Sequence, residues 1–276
     1  MAPRTIEDLI ARKPARRRSE VPADVLKALN AGQIESRNLV EWLVIDQVKL
    51  LKAILPEIGL DDDRTQKSLL KTARGLREAG VMQRSTGIGA AFFAALNEAE
   101  DSAAIYDRMA THPSDVVRIW AAFSDGANPR LTFPQRLKRV RKFAVDANAG
   151  VREIAWMCVR SPAPDALIDE VHRLQKWTVD SHPFVRRFAI EVTRPCGVWC
   201  AHLKRLKDDP TPMIELLDAC NSDEAKYVQD SVANWLNDAS KSQPDWVRKT
   251  CDRWQSESPT PQTARIVHRA LRTLRK

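Results

Sequence analysis

A Val-Arg core that returns at the head of one apolar run after another constrains this chain more than any other feature. HPSDVVRIWAAF (112–123), NAGVREIAWMCV (148–159) and HPFVRRFAIEV (182–192) share it, and EAKYVQDSVANWL (224–236) fits with Gln for Arg. The aligned valines are Val117, Val151, Val185 and Val228, at steps of 34, 34 and 43 residues. Within each copy the apolar residues recur at three- and four-residue steps, the period of an amphipathic helix. A helical hairpin of this length cannot bury its apolar face alone, so successive copies must stack. The expected fold is all-α: an α-solenoid, a curved superhelix of helical hairpins.

The rest of the chain reads the same way. Only 9 glycines occur, and no β-branched alternation is present. RNLVEWLVIDQVKLLKAIL (37–55), RTQKSLLKTARGLREAG (64–80) and GIGAAFFAALNEAE (87–100) carry helical periodicity. Pro113, Pro129, Pro164, Pro183, Pro210 and Pro244 fall between helices as breakers. We expect residues 1–20 to be a basic, mobile arm in which Pro14 stops any helix. Residues 21–276 should form one repeat domain, with N-terminal helices over 21–100 and the site-bearing repeats over 101–276. No run approaches the roughly 20 apolar residues of a membrane span, and the first residues lack the apolar core of a secretory signal. Five cysteines, odd in number and scattered, point to a reducing compartment. The expectation is a cytoplasmic protein without a membrane partner. Its basic ends and lack of heptads predict a monomer.

Charge narrows the partner. Lys and Arg number 44 against 36 Asp and Glu, a net charge of +8, which favours a polyanion, nucleic acid first. The excess is clustered. ARKPARRRS (11–19) is basic, and RLTFPQRLKRVRK (130–142) supplies Arg136, Lys138, Arg139, Arg141 and Lys142 as candidate phosphate contacts. In the C-terminal run, Arg265, Arg269, Arg272 and Lys276 line one helix face opposite Val267, Ala270, Leu271 and Leu274. The repeated core resembles that of HEAT repeats, which implies a structural role for Arg118, Arg152 and Arg186.

Acids occur where mere stacking would not require them. With each shared Val at zero and about 100° per residue, Phe188, Ala189 and Val192 join Val185 in the buried stripe. Glu191 then lies near 240°, Glu153 near 200° and Asp238 near 280°, on one side of the stack by this wheel. Trp199 follows Arg194-Pro195 in a turn between helices, where a large aromatic is unfavourable if it only faces water. Trp156 also falls off the stripe of its helix, whereas Trp177, Trp235 and Trp246 read as core.

These runs resemble a known family. VREIAWMCVR (151–160), VRRFAIEVTRPCGVW (185–199) and SVANWLNDASKSQPD (231–245) are similar to the bacterial DNA alkylation repair glycosylases built from HEAT-like repeats, most nearly the AlkC branch. Shared elements are an acid-bearing helix with Glu191, then Arg194-Pro195 and Trp199, then the run Ala233 to Lys241. The chain departs from the pattern at Val192, where relatives usually have Gly, and at Cys196-Gly197-Val198 ahead of Trp199. The resemblance implies that Glu153, Glu191, Asp238 and Trp199 meet the damaged nucleotide, with Trp156 and Arg194 beside them. It implies double-stranded DNA containing alkylated bases as substrate, a basic surface gripping a bent backbone, and a lesion left stacked rather than flipped.

The chemistry suits those residue types. A base alkylated at a ring nitrogen is cationic and leaves readily, through an oxocarbenium-like sugar. Carboxylates can stabilise that charge and orient the attacking water, and an indole face attracts cations. Asp238 is the candidate for the water, Glu191 and Glu153 for charge stabilisation. No metal or cofactor is expected: Cys196, Cys200 and His202 lack paired zinc spacing, and STGIGAAFF (85–93) has two glycines and no following Lys. Lys241, near Asp238, reads as a solvated lysine rather than a Schiff-base lyase. Non-catalytic binding of bent or branched DNA, or a protein-interaction scaffold, are the competing readings.

Overall fold

The computed structural model describes residues 4–160, 166–197 and 199–275; Met1–Pro3, Pro164, Val198 and Lys276 of the reading above lie outside the described residues. The described chain is helical without a strand. Its first half comprises α1 (Ile6–Ala11), α2 (Ala23–Asn30), α3 (Leu39–Val44), α4 (Gln47–Glu57), α5 (Asp63–Gly75), α6 (Val81–Glu98), α7 (Ser102–Ala110), α8 (Asp115–Ala127) and α9 (Phe133–Ala144). The second comprises α10 (Ala149–Arg160), α11 (Ala166–Asp169), α12 (Gln175–Thr178), α13 (Pro183–Glu191), α14 (Lys204–Asp208), α15 (Ile214–Asp218), α16 (Lys226–Ala239), α17 (Pro244–Glu257) and α18 (Pro261–Ala270).

Two compact units are present. Unit 1 contains residues 1–132 and 146–158, and unit 2 contains residues 133–145 and 159–276. In unit 1, α6 packs on α5, α7 and α8. Gly89 makes the α6–α8 approach possible, since a Cβ there would lie 2.3 Å from the Phe123 Cβ. The glycines of STGIGAAFF thus serve helix packing inside α6. In unit 2, α13 packs on α9, α12 and α16, and α16 on α17 and α18.

The four aligned valines head α8, α10, α13 and α16, and all are 0% exposed. Local chemistry sets where these helices begin. Pro183 opens α13 behind His182, whose side chain accepts from the Phe184 amide, and Asn148 Oδ1 accepts from the Gly150 amide at 2.8 Å ahead of α10. The apolar run 37–55 is broken into α3 and α4, because Asp46 accepts from the Val48 and Lys49 amides and starts a new helix.

The repeated arginines tie each helix to the loop before it. Arg118 Nη1 donates to the carbonyls of His112 and Pro113, Arg152 Nη1 to Asp146 and Ala147, and Arg186 Nη1 to Asp180 and Ser181. The other edge of the guanidinium reaches the next copy: Arg118 bonds Asp146, and Arg186 bonds Asp223 through Nε at 2.6 Å and Nη2 at 2.9 Å. Gln229 occupies the fourth position. Its amide donates to the Asp223 carbonyl at 2.7 Å, while its oxygen accepts from Arg265 Nη1 at 3.0 Å. One device, a guanidinium or amide bridging two loops, joins successive hairpins within each unit.

Residues 4–20, expected as a mobile arm, make definite contacts. α1 is closed by a Thr5–Asp8 capping box. Arg12 is 8% exposed and forms an ion pair with the still more buried Glu41, and Asn38 Nδ2 donates to the Ala15 carbonyl at 2.8 Å.

Candidate active site

Glu191 is the last residue of α13, and Asp238 lies one residue before the end of α16. A carboxylate at a helix C-terminus faces the negative end of the macrodipole and the orphan carbonyls, so both acids sit where an acid is locally unfavourable. They are also buried, at 2% and 5% exposure. Such placement requires cations.

Arg194 provides the first. Pro195 cannot continue a helix, and the turn it enforces brings the Arg194 guanidinium between the two helix ends. Nη1 bonds Glu191 Oε2 at 3.1 Å, while Nη2 and Nε bond Asp238 Oδ2 at 2.6 and 3.0 Å. One side chain therefore clamps carboxylates 47 residues apart from consecutive repeat helices. Burial pushes the Arg194 pKa down, but the two carboxylates outweigh it and the net direction is up, so the clamp stays charged. Glu191 Oε1 accepts from Ser231 Oγ at 2.6 Å and lies 3.5 Å from Arg187 Nη2. Asp238 Oδ1 accepts from Lys241 Nζ at 2.9 Å, and this lysine is half-exposed. Two acids are thus matched by three cations, and the cluster does not present net negative charge to a polyanion.

The turn after Pro195 carries the aromatic. Trp199 is 49% exposed. The Leu203 amide donates to the Pro195 carbonyl at 3.0 Å and closes the loop at its base. At Gly197 a Cβ would lie 2.6 Å from the Cys200 carbonyl oxygen and 2.4 Å from its Sγ, so this tight fold-back demands glycine. Arg160 braces the same loop from below. It is 1% exposed, and its two Nη atoms donate to the carbonyls of Arg194, at 2.7 Å, and Ala201. Among the described residues Arg160 forms no ion pair, and burial pulls its pKa down.

The other sequence-predicted site residues are placed differently. Trp156 is 4% exposed, and its indole N–H donates to Glu153 Oε2 at 3.0 Å; the wheel had placed this tryptophan off the buried stripe. Glu153 and Trp156 belong to unit 1, whereas Glu191, Arg194, Trp199 and Asp238 are together in unit 2. Of the candidate phosphate contacts, Lys138, Arg139, Arg141 and Lys142 are exposed and Arg136 is half-buried on α9, with Arg141 bonded to Asp180 at 2.7 Å. Arg265 and Arg269 both meet Asp230, at 2.7 and 3.1 Å, and Arg272 donates to Asn234 Oδ1 at 3.0 Å. That face is partly neutralised from within.

Sequence reading missed Arg160, Arg187, Ser231 and the contact of Lys241. Arg187 and Lys241 carried a signal, at i−4 from Glu191 and i+3 from Asp238. Ser231 and Arg160 carried none, because their partners lie 40 and 34 residues away. No described helix is long and apolar enough to cross a membrane.

Stacked helical hairpins with two acids clamped at their ends, and an exposed indole on the loop that follows, define a HEAT-like repeat protein with a polar site at its helix ends. Residues 165–265, which include that cluster, match the family model described as DNA alkylation repair enzyme. The chain is 39% identical over 116 residues to the uncharacterized protein YhaZ of Bacillus subtilis, covering 41% of this chain and 32% of that one. Its fold is similar to the Pseudomonas fluorescens alkylpurine DNA glycosylase AlkC bound to DNA containing an abasic site analog, with a TM-score of 0.66 and 27% identity. That match covers 84% of this chain and 63% of the other, so the chain spans less than two thirds of either relative. AlkD2 from Streptococcus mutans shares the fold, with a TM-score of 0.54 at 18% identity, over 75% of this chain and 98% of its own.

Proposed function

We propose that this protein is a monofunctional DNA glycosylase that hydrolyses the N-glycosidic bond of cationic alkylated bases such as 3-methyladenine in double-stranded DNA, without flipping the base. One observation carries the reading: Arg194 holds the buried Glu191 and Asp238 carboxylates together at the ends of two repeat helices, and the loop that follows it carries the half-exposed Trp199. The segment that does so matches a DNA alkylation repair family.

The bond pattern divides the work. Asp238 accepts three charge-assisted bonds, from Arg194 twice and Lys241 once. Its contribution is to stabilise the oxocarbenium-like sugar and to orient the attacking water. Lys241 is the exchangeable partner. A DNA phosphate can draw its ammonium away and leave Oδ1 to the sugar. Glu191, with Ser231, Arg187 and Arg194 around it, positions Arg194 and adds negative potential. The indole of Trp199 attracts the cationic base or sugar by its π face. Bond cleavage yields free alkylbase and an abasic site; water supplies the hydroxyl to the sugar carbon, and its proton passes to solvent. A base that is already a good leaving group needs no deep pocket, and a shallow site is consistent with a lesion that stays stacked.

The test is release of bases from methylated DNA, resolved by chromatography. Wild type should liberate 3-methyladenine. Asp238→Asn, which keeps the shape but removes the charge, should lose at least about a hundredfold in rate, as removal of one electrostatic donor or acceptor does elsewhere. Trp199→Ala, at an exposed loop position, should lower the rate without altering the melting curve. Full activity in both variants, or no base release by wild type, would move the assignment to non-catalytic binding of bent DNA, which the internally paired acids also fit.

A further inference from the structure

The cations of this chain fall into two groups once their partners are known. Arg118, Arg186, Arg194, Arg253, Arg265 and Arg269 face carboxylates within the fold. In the loop between α1 and α2 the reverse holds. Lys13, Arg16, Arg17 and Arg18 are exposed. Among the described residues no acceptor meets the side chains of Lys13, Arg16 or Arg18, and Arg17 reaches only Glu20, at 3.8 Å.

This loop is held in shape. Arg12 anchors its start through the buried Glu41 and donates to the Glu35 carbonyl at 2.9 Å. Asn38 holds the Ala15 carbonyl, and Glu20 Oε2 accepts from the Arg16 and Arg17 amides at 3.2 Å each. Four like charges fixed within six residues repel one another, and the anchors hold them at that cost instead of letting the segment spread. A shaped array rich in guanidinium, with only Arg17 near an acid among the described residues, suits the oxygens of successive phosphates.

We propose that residues 13–18 form a phosphate-backbone contact of their own, in unit 1, for the same nucleic acid whose lesion unit 2 processes. This rests on the glycosylase reading only for the identity of the polyanion. An anionic membrane is the competing partner, because Ile6, Ile10 and Leu39 are exposed at 42%, 53% and 49%. Glu7 and Asp8, also exposed on α1, would repel anionic headgroups beside those isoleucines, and α1 carries no basic residue to offset them.

The experiment uses the full chain with Arg16, Arg17 and Arg18 changed together to Ala. Binding to an undamaged duplex is measured across a salt titration, and base release is measured at saturating enzyme. The triple variant should bind at least about tenfold more weakly at low salt, with the slope of log K against log salt reduced by about 2 to 3. Its saturated rate and melting curve should match wild type. An unchanged affinity and slope in a variant whose parent binds DNA would overturn the contact while leaving the glycosylase intact. Loss of binding to vesicles of equal phosphatidylcholine and phosphatidylserine, with DNA binding untouched, would overturn it in favour of a membrane. A wild type that binds no DNA would remove the proposed function and this contact together.

Discussion

At the scale of single residues, Arg194 decides the character of the site. It faces two carboxylates that are each almost fully buried and bonds both of them. Breaking a buried ion pair by removing one partner typically costs about 3 to 5 kcal/mol, because the remaining charge is stranded. Arg194→Met should therefore lower the free energy of unfolding by at least that order in a urea titration. The double variant with Asp238→Asn should recover part of the loss, since one stranded charge is gone. A single-variant loss below about 1 kcal/mol would mean the clamp contributes only specificity. Arg160 shows the complementary case: among the described residues it forms no ion pair, and its guanidinium donates instead to carbonyls at both ends of one loop.

At the scale of elements, the repeated arginine is a connector, and the fourth copy shows how its identity depends on its neighbours. Gln229 stands where the other copies have Arg, and restoring the repeat consensus there looks stabilising from sequence alone. The structure gives the opposite expectation. Gln229 accepts from Arg265 through its amide oxygen, so Gln229→Arg would place two guanidiniums against each other and remove one of the Arg265 acceptors. A thermal melt should show the variant several degrees less stable, corresponding to about 1 to 2 kcal/mol. Arg265→Gln in the same background should restore stability, as a swapped donor and acceptor. The run 37–55 teaches the same lesson for secondary structure. Its periodicity is continuous, yet Asp46 caps the amides of Val48 and Lys49 and divides it.

At the scale of the whole molecule, a buried acid links segments far apart in sequence and sets a pH dependence. Asp115 is 1% exposed at the start of α8. It accepts from the Ser36 amide at 3.0 Å and from the Ser36 hydroxyl, 79 residues away. Burial pushes its pKa up to about 6, against the opposing bonds from Ser36 and the charge of Arg118. A carboxyl whose folded pKa exceeds its unfolded value binds a proton more tightly when folded. Its favourable contribution is complete below the unfolded pKa, near 4, and is lost as pH rises through about 6. Wild type should thus lose on the order of 2 kcal/mol from this group between those limits. Asp115→Asn should flatten that segment of a stability-against-pH curve, and an unchanged slope would show that Asp115 does not titrate there.

The periodicity of the apolar residues was enough, unaided, to specify helices, the aligned valines as core and the stacking of copies, because burial of a face is a property of local spacing. The resemblance carried by Arg194-Pro195, Trp199 and the run from Ala233 to Lys241 singled out the acids for the same reason: those residues are close in the chain or share a phase. What needed three dimensions was everything decided by a partner distant in sequence. Trp156 shows it on one side, turned into the core with its N–H on Glu153 although the wheel placed it outside. The C-terminal arginines show it on the other, drawn to Asp230 and Asn234, while among the described residues the side chains of Lys13, Arg16 and Arg18 of the basic run 11–19 meet no acceptor. Charge can be counted along a chain, but whether a charge is free for a ligand depends on which acids folding brings within a few ångströms. That is set by packing between helices, whose geometry no single helix contains.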